Sequence, residues 1–250
     1  MSTNQFNLLV WAWIAIGLIA VPFELRITAP YGRHVRADWG PLMPARYGWM
    51  LMEGASLIVF AGMFLAGGVA KTAPMWVFFA LWVVHYVNRS IVFPLRIRSR
   101  AMPVSIAAMG VVFGVVNGGV NGGWLGWLAD PYPDTWLIDP RFIGGLALFL
   151  TGAAINLASD ETLLALRRPG GPEYSIPRGG LFRYVSCPNH FGEIVEWTGF
   201  AVLCWNLPAL SFAIWTAANL IPRSLSHHRW YRQRFPGYPR ERKAVIPFVL

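Results

Sequence analysis

The chain has 250 residues, of which 55% are hydrophobic and only 13% are charged, and its formal net charge is +9. This composition is typical of membrane proteins and excludes an ordinary soluble domain. On a membrane protein, an excess of Lys and Arg marks the loops that stay in the cytoplasm, so it does not indicate nucleic-acid binding. The two cysteines, Cys187 and Cys204, are too few for a disulfide framework and have no metal-ligand spacing around them.

Seven apolar runs follow one another along the chain. A membrane-spanning helix needs about 20 apolar residues, and the runs cover 6–23, 47–69, 75–95, 102–120, 142–157, 191–204 and 207–221. The last two are short and are separated by Asn206-Leu207-Pro208, which predicts a tight turn. No basic segment precedes the first run, so we expect a retained span rather than a cleaved signal peptide. The sequence therefore predicts an all-α integral membrane protein with seven transmembrane helices.

The charges of the loops predict the orientation of these helices. Most of the 21 Lys and Arg residues lie in the first, third and fifth loops and in the tail, which we define as residues 223–250. The opposite loops hold Lys71 and Arg141 together with three aspartates. Because basic loops remain inside, we expect the N-terminus outside and the C-terminus in the cytoplasm. The Asn- and Gly-rich stretch 117–123, followed by Pro131 and Pro133, predicts that one of the outer loops is irregular.

Two of the apolar runs contain polar groups that are costly to keep at membrane depth. Glu53 lies in the second run, and His85, Tyr86 and Arg89 lie in the third. Such groups usually face a protein interior or a wet cavity and mark a functional site. A tyrosine hydroxyl has a pKa near 10, so at neutral pH it donates a hydrogen bond and can polarise a carbonyl oxygen. A nearby carboxyl can orient the hydroxyl, or donate directly if burial raises the pKa of the carboxyl. The alternative is that Tyr86 only packs and that Glu53 pairs with Arg89.

A second polar cluster lies at the end of the fifth run. Asn156 and Asp160 are four residues apart and share a helical face, and Arg167 follows about two turns later. This arrangement suits a polar ligand that enters from the cytoplasm. The alternative is an ordinary helix end with Arg167 reaching towards the membrane interface.

The third cluster combines the sixth run with the tail. Asn189, Glu193 and Trp197 recur at four-residue spacing, and Arg223 and His227 of the tail are candidate partners for the acid. No convincing third ligand accompanies the histidines, so we predict no metal site. Arginines bind phosphates through a planar donor fork, so the basic and aromatic tail suits either a phosphate-bearing cofactor or anionic lipid headgroups. No glycine-rich fingerprint of a Rossmann domain or Walker sequence occurs.

Taken together, these motifs resemble the membrane-embedded steroid 5-alpha-reductases. The early matches are segment 31–34 (Tyr-Gly-Arg-His), segment 44–46 (Pro-Ala-Arg), Trp49, Glu53, His85-Tyr86 and Arg89. The late matches are Asn156, Ser159-Asp160, segment 177–186, Asn189, Gly192-Glu193, Trp197, segment 227–231 and segment 238–248. The C-terminal part alone is similar to a wider group that includes sterol reductases, enoyl-CoA reductases and methyltransferases.

The resemblance implies a single membrane-embedded reductase domain over residues 1–250. Its helices up to about residue 120 would face the substrate, and residues from about 142 to 250 would bind NADPH from the cytoplasmic side. The implied reaction reduces the 4,5 double bond of a 3-oxo-4-ene steroid by hydride transfer to C5. The implied partners are a steroid or another lipid-soluble enone and the membrane lipid, without nucleic acid and without an obligate protein partner.

The resemblance also implies roles for individual residues. Tyr86 and Glu53 would be catalytic and would hold the 3-oxo oxygen. Trp49 and Arg89 would contact the substrate, and Glu193 and Trp197 would lie where substrate and cofactor meet. The implied cofactor contacts are Tyr31, Arg100, Asn156, Asp160, Arg167, Tyr174, Asn189, Arg223, His227 and Tyr231.

Three positions depart from the animal enzymes of that family. Met52 stands where they have a Gln that helps bind the carbonyl end, Ile97 stands in place of an Asn that touches the cofactor, and Ser175 replaces an Arg. The alternatives are therefore an enoyl-CoA or polyprenol reductase of the same fold, a membrane methyltransferase that uses S-adenosylmethionine, and a non-enzymatic receptor or transporter. We expect a bacterial inner membrane rather than the endoplasmic reticulum, since no retention signal is evident.

Overall fold

The computed structural model describes residues 1–97, 101–167 and 174–250. Most of these residues are helical. The α-helices are α1 (Thr3–Arg26), α2 (Ala45–Ala66), α3 (Ala73–Val87), α4 (Phe93–Arg96), α5 (Val104–Gly123), α6 (Pro140–Leu166), α7 (Pro188–Cys204) and α8 (Leu207–Arg234). A π-helical turn, Asn88–Val92, joins α3 to α4, and a second one, Trp124–Leu128, extends α5. Strand β1 (Leu42–Met43) pairs antiparallel with β2 (Met102–Pro103).

Five helical segments within the described ranges are long and apolar enough to cross a membrane. They are Thr3–Arg26, Ala45–Ala66, Ala73–Arg96, Val104–Leu128 and Pro140–Leu166. The prediction of a helical protein is thereby confirmed, and the five segments support a multi-pass membrane protein. The sixth and seventh predicted spans, which correspond to α7 and the first half of α8, are not among these five segments. Helix α7 has only 17 residues, and the second half of α8 is rich in Arg and His.

The irregular outer loop is present at residues 129–133, with Pro131 and Pro133, but the expectation that it includes residues 117–123 is wrong. These residues form the last turns of α5, and the helical path continues through the π-helical turn to Leu128. Two of their glycines, Gly118 and Gly122, belong to a stripe at four-residue spacing that also contains Gly110, Gly114 and Gly126. Small residues at this spacing let two helix backbones approach closely in a membrane, so here glycine serves helix packing and does not break the helix.

The chain divides into two compact units. The first unit contains residues 1–10 and 29–143, and the second unit contains residues 11–28 and 144–250. In the first unit the glycine stripe of α5 lies against α2. A Cβ atom on Gly114 would stand 2.8 Å from the carbonyl oxygen of Met52, and one on Gly118 would stand 2.8 Å from that of Ser56. Side chains of ordinary size would therefore separate α5 from the helix that carries Glu53.

Aromatic rings fill the rest of the core of the first unit. Phe60 of α2 stacks on Trp82 of α3 with ring centroids 4.4 Å apart, and Phe64 stacks on Phe79 at 4.8 Å. Phe60, Phe64 and Trp82 have no exposed surface. These contacts fix the rotation of α2 relative to α3, and with it the direction in which each helix presents its polar groups.

The second unit is built from α6, α7, α8 and most of α1. In α1, Trp13 packs on Trp215 of α8 at 4.5 Å between ring centroids, and Thr28 donates a 2.9 Å hydrogen bond to Ser226. The predicted tight turn between α7 and α8 is confirmed. Asn206 caps α8 by accepting a 2.9 Å hydrogen bond from the backbone N–H of Ala209, as short polar residues commonly do at a helix start.

Candidate active site

The candidate catalytic residues of the first unit lie on α2 and α3, which pack against each other. Glu53 is half-buried on α2, one turn beyond Trp49. Tyr86 is only 5% exposed near the end of α3, and its ring lies 5.1 Å from that of Trp82. The burial of a phenol and an acid on two neighbouring helices matches the kind of intramembrane polar site that the sequence predicts.

The π-helical turn directly after α3 shapes the surroundings of Tyr86. Ser90 in this turn donates a 2.6 Å hydrogen bond to the carbonyl oxygen of Tyr86. Single π-helical turns inside helices are frequent at functional sites, because the extra residue redirects the side chains around it. The same turn carries Arg89, so the backbone irregularity begins two residues after Tyr86 and includes Arg89.

Arg89 and three aromatic residues form a contact group on the first unit. The guanidinium carbon of Arg89 lies 5.6 Å from the ring of Trp49 and 4.9 Å from that of Phe93. Tyr31 meets Trp49 edge-on at 5.8 Å between ring centroids. The structure therefore joins Tyr31, Trp49 and Arg89, which come from three separate segments. Arg100 lies outside the described residues.

The candidate cofactor residues of the second unit include a hydrogen-bonded cluster between α6 and α7. Asn156 donates to the carbonyl oxygen of Asn189 at 3.0 Å and to the carboxylate of Glu193 at 3.4 Å. The side chain of Asn189 donates to the carboxylate of Asp160 at 3.2 Å. Four residues that the sequence singles out in two separate motifs thus form one polar network, in which Asn156 and Asp160 are buried.

Glycines make this network possible by letting α6 and α7 touch along their backbones. A Cβ atom on Gly152 would stand 2.5 Å from the carbonyl oxygen of Gly192, and one on Gly145 would stand 2.8 Å from that of Gly199. In each helix the two glycines are seven residues apart, so they lie on one face. The short polar side chains of Asn156 and Asn189 can therefore reach the opposite helix.

The candidate residues on α8 share one face of that helix. Arg223, His227 and Tyr231 follow each other at four-residue spacing. Arg223 and Tyr231 are buried. The ring of His227 lies 5.5 Å from that of His190 on α7, and His190 in turn hydrogen-bonds Ser224 at 2.8 Å. His190 was not singled out by the sequence, because its role depends on the contact between α7 and α8.

Three further candidates take different positions in the second unit. The guanidinium carbon of Arg167 lies 5.9 Å from the ring of Tyr174, and Tyr174 meets Trp230 edge-on at 5.0 Å. Trp197 is only 1% exposed, and its ring meets that of Phe212 edge-on at 4.4 Å. Arg167 and Tyr174 thus form an aromatic and basic group with α8, whereas Trp197 belongs to the packed interior.

A buried serine ties the C-terminal segment (residues 235–250) to α8. Ser186 contacts Nδ1 of His228 at 2.6 Å, the hydroxyl of Tyr238 at 2.7 Å and the carbonyl oxygen of Lys243 at 3.1 Å. A carbonyl only accepts and a hydroxyl carries one proton, so Ser186 donates to Lys243 and accepts from His228 and Tyr238. Tyr238 also stacks on Tyr231, with centroids 5.2 Å apart. We call Ser186, His228 and Tyr238 the serine hub. Through Tyr238 it supports Tyr231, a candidate cofactor residue.

Burial and charge shift the pKa values of two members of the serine hub. Burial lowers the pKa of His228, and the charges of Arg232 and Lys243 act in the same direction. Burial raises the pKa of Tyr238, against smaller opposing effects from Ser186 and Arg242. At neutral pH these shifts favour neutral His228, with its proton on Nδ1, and protonated Tyr238, so both groups can donate to Ser186.

The polar groups of the second unit fit a nucleotide cofactor in their chemistry. Buried Arg223 offers the planar donor fork that suits phosphate, while amides and carboxylates such as Asn156 and Asp160 suit the hydroxyl and amide groups of a dinucleotide. Among the described residues, no group of three or more His, Cys, Asp or Glu side chains is placed to hold a metal ion.

Comparison with known proteins gives a consistent family. The family model for 3-oxo-5-alpha-steroid 4-dehydrogenase matches residues 100–250. The chain is 37% identical to steroid 5-alpha-reductase DET2 of Gossypium hirsutum, over 100% of both chains. It is 39% identical to 3-oxo-5-alpha-steroid 4-dehydrogenase 1 of Bos taurus, over 94% of this chain and 93% of that protein. It is 36% identical to the Homo sapiens protein of that name, over 96% of this chain and 94% of that protein.

These matches cover the motifs of both units, from segment 31–34 to segment 238–248. The resemblance that the sequence motifs indicate is thereby confirmed, and so is the class of reaction. The chain belongs to the 3-oxo-5-alpha-steroid 4-dehydrogenase family and is a membrane-associated oxidoreductase that acts on CH–CH bonds.

Proposed function

We propose that the chain reduces the 4,5 double bond of 3-oxo-4-ene steroids with NADPH and releases 5-alpha-3-oxosteroids. The observation that carries this proposal is the buried phenol of Tyr86 beside the helix that presents Glu53. A carbonyl oxygen that gains negative charge during the reaction needs a hydrogen-bond donor placed in a dry site. The relatives named above carry the names of steroid reductases and match 100% and 94% of the chain in the Gossypium hirsutum and Bos taurus comparisons, which supports this substrate class.

In the proposed reaction Tyr86 donates a hydrogen bond to the 3-oxo oxygen of the substrate. Glu53 orients the hydroxyl of Tyr86, or shares the oxygen with it in its protonated form. Bound NADPH supplies the hydride that adds to C5. As C5 gains the hydride, electrons of the double bond move towards the 3-oxo oxygen, and Tyr86 stabilises the resulting enolate of the substrate. A proton then adds to C4, and the product is the saturated ketone.

We assign NADPH binding to the polar groups of the second unit. Asn156, Asp160 and Asn189 form one network, and α8 contributes Arg223, His227 and Tyr231. Arg167, Tyr174, Tyr31 and Arg100 complete the proposed cofactor contacts. We assign Trp49, Arg89, Glu193 and Trp197 to the substrate.

We further propose seven membrane crossings, with α7 and the first half of α8 as the two short ones. The distribution of basic residues supports an outside N-terminus and a cytoplasmic tail, because most Lys and Arg residues fall on one side of such a topology. As the membrane we propose a bacterial inner membrane.

A second candidate function is the reduction of an enoyl-CoA or polyprenol substrate by the same fold. Met52 favours it, because this position offers no polar group beside Glu53. The side chain of Met52 lies against Gly110 of α5, where a Cβ atom would approach its sulfur to 2.9 Å. It therefore fills an apolar space between two helices.

The deciding experiment is the oxidation of NADPH by the detergent-purified protein, with and without testosterone or progesterone. Steroid-dependent oxidation with a 5-alpha product would support the proposal and give the stereochemistry. Binding of NADPH without steroid-dependent oxidation would contradict the steroid as substrate and favour the enoyl-CoA or polyprenol alternative. Absence of NADPH binding would contradict the assignment of the cofactor.

A further inference from the structure

A patch of apolar and basic side chains is exposed on the surface of the second unit, outside all candidate membrane spans. We call it the interfacial patch and define it as Arg183, Tyr184, Lys243, Phe248 and Val249. Phe248 is 76% exposed and Val249 is 72% exposed. Large apolar side chains on a membrane-spanning helix are exposed because they face lipid, but these residues belong to loops, so their exposure requires another explanation.

Direct contacts hold the interfacial patch together. The ring of Phe248 lies 5.2 Å from that of Tyr184, and the guanidinium carbon of Arg183 lies 5.8 Å from the ring of Tyr184. The backbone N–H of Lys243 donates a 2.9 Å hydrogen bond to the carbonyl oxygen of Tyr184. Residues from two distant segments thus form one continuous surface with aromatic rings and two exposed cations.

The backbone holds the apolar part of the patch outward. Phe248 has φ +66°, a left-handed conformation that is uncommon for a bulky residue. The surrounding turn is closed by hydrogen bonds from the backbone N–H groups of Val245 and Ile246 to the carbonyl oxygen of Leu250, each 2.8 Å long. The chain thus adopts a strained conformation that leaves the ring of Phe248 exposed.

We propose that the interfacial patch binds the anionic headgroup layer of the membrane in which the protein is embedded. Aromatic and aliphatic side chains insert at the level of the headgroups, and neighbouring Lys and Arg attract anionic lipids there. The two exposed cations, Arg183 and Lys243, make this surface complementary to anionic lipid. Under this proposal the basic and aromatic tail has two roles. Tyr238 of the serine hub and its neighbour Tyr231 are buried, whereas Lys243 and Phe248 are exposed and contact the membrane surface.

A fluorescent label at position 249 tests this proposal. The variant Val249→Cys is labelled with NBD and reconstituted in nanodiscs that contain spin-labelled lipid, with phosphatidylcholine alone or with added phosphatidylglycerol. The unsubstituted chain is the labelling blank, since Cys187 and Cys204 are both buried. Gly237→Cys is the matched control in the same segment, because nothing lies within 4 Å of a Cβ atom there.

We expect NBD at position 249 to lose most of its intensity to the spin-labelled lipid and to emit at shorter wavelength than NBD at position 237. Phosphatidylglycerol should increase the quenching, and adding Arg183→Glu with Lys243→Glu should return it to the level in phosphatidylcholine. Water-like emission at both positions would overturn the proposal, and it is the result that a surface reserved for a protein partner would give. Quenching that is indifferent to phosphatidylglycerol and to charge reversal would overturn the role of anionic headgroups.

Discussion

Gly152 of α6 and Gly192 of α7 lie face to face with no room for a side chain on either. A Cβ atom on Gly192 would stand 2.7 Å from the carbonyl oxygen of Gly152, and one on Gly152 would stand 2.5 Å from that of Gly192. One turn further along α6, Asn156 reaches the carbonyl oxygen of Asn189 at 3.0 Å. The polar network that we assign to the cofactor thus depends on having glycine, with no side chain, at positions 152 and 192.

The change Gly152→Ala should therefore disturb both stability and cofactor binding. Forcing a methyl group into a packed contact costs about 1–3 kcal/mol, and here it must move the helices apart. We expect a lower Tm and a higher Kd for NADPH, measured by thermal unfolding and by fluorescence of the bound cofactor. The matched control is Gly144→Ala in the same helix, where nothing lies within 4 Å of the added Cβ atom. Equal behaviour of the two variants would contradict the role of the close contact.

A neighbouring pair of glycines tests the packing of α5 on α2. In Gly118→Ala the added Cβ atom would stand 2.8 Å from the carbonyl oxygen of Ser56, whereas in Gly119→Ala the nearest atom belongs to Val59 at 3.8 Å. We expect Gly118→Ala to lower stability by about 1–3 kcal/mol and to reduce turnover, because α2 carries Glu53. Gly119→Ala should leave Tm and turnover close to those of the unchanged protein. A larger effect of Gly119→Ala would exclude the stripe as the packing surface.

Substitutions at the proposed catalytic residues Tyr86 and Glu53 should lower the rate of turnover. Removing one donor to a developing oxyanion costs about 10²-fold or more in turnover, so Tyr86→Phe should lose at least that much while the Kd for NADPH stays the same. Glu53→Gln should cripple turnover or steroid binding. The control Tyr47→Phe removes the hydroxyl of an exposed tyrosine on α2 and should be silent. Normal turnover in Tyr86→Phe would remove this residue from the mechanism.

The serine hub should influence the cofactor site through Tyr238 and Tyr231. Ser186→Ala removes the acceptor for the hydroxyl of Tyr238 and for the Nδ1–H of His228, and an unsatisfied buried donor costs about 1–3 kcal/mol. We expect a lower Tm and a higher KM for NADPH, with little change in kcat at saturating NADPH. Thr198→Ala is the control, since its exposed hydroxyl bonds only to its own helix. A loss of kcat with an unchanged KM would contradict a positioning role.

His228 should make the stability of the protein depend on pH. Its pKa in the folded protein is lowered, chiefly by burial, below the value of about 6.5 of a free histidine. Between these two values the unfolded chain binds more protons than the folded one, so stability rises with pH across that window and is complete above it. We expect Tm to fall as the pH decreases below about 6.5. The fall should be smaller in His228→Gln and unchanged in His34→Gln; an identical pH profile in all three proteins would argue against this contribution of His228.

The sequence by itself determined that the protein is a helical membrane protein and to which enzyme family it belongs. Long apolar runs predict a helical membrane protein, because a bilayer accepts helices whose length matches its thickness. Four-residue spacing placed Asn156 with Asp160 and Asn189 with Glu193 and Trp197, since such neighbours share a face in any α-helix. The motifs around Glu53, Tyr86 and the tail were sufficient to identify the family.

Only the tertiary structure decided which helices touch and how closely. The stretch 117–123 has the composition of a loop, but it is helical because its glycines meet α2 rather than solvent. The serine hub and the contact between His190 and His227 join residues that are more than 30 positions apart. Local sequence encodes the face of a helix on which a side chain lies. The partner across that face depends on long-range packing, which a residue's sequence neighbours do not specify.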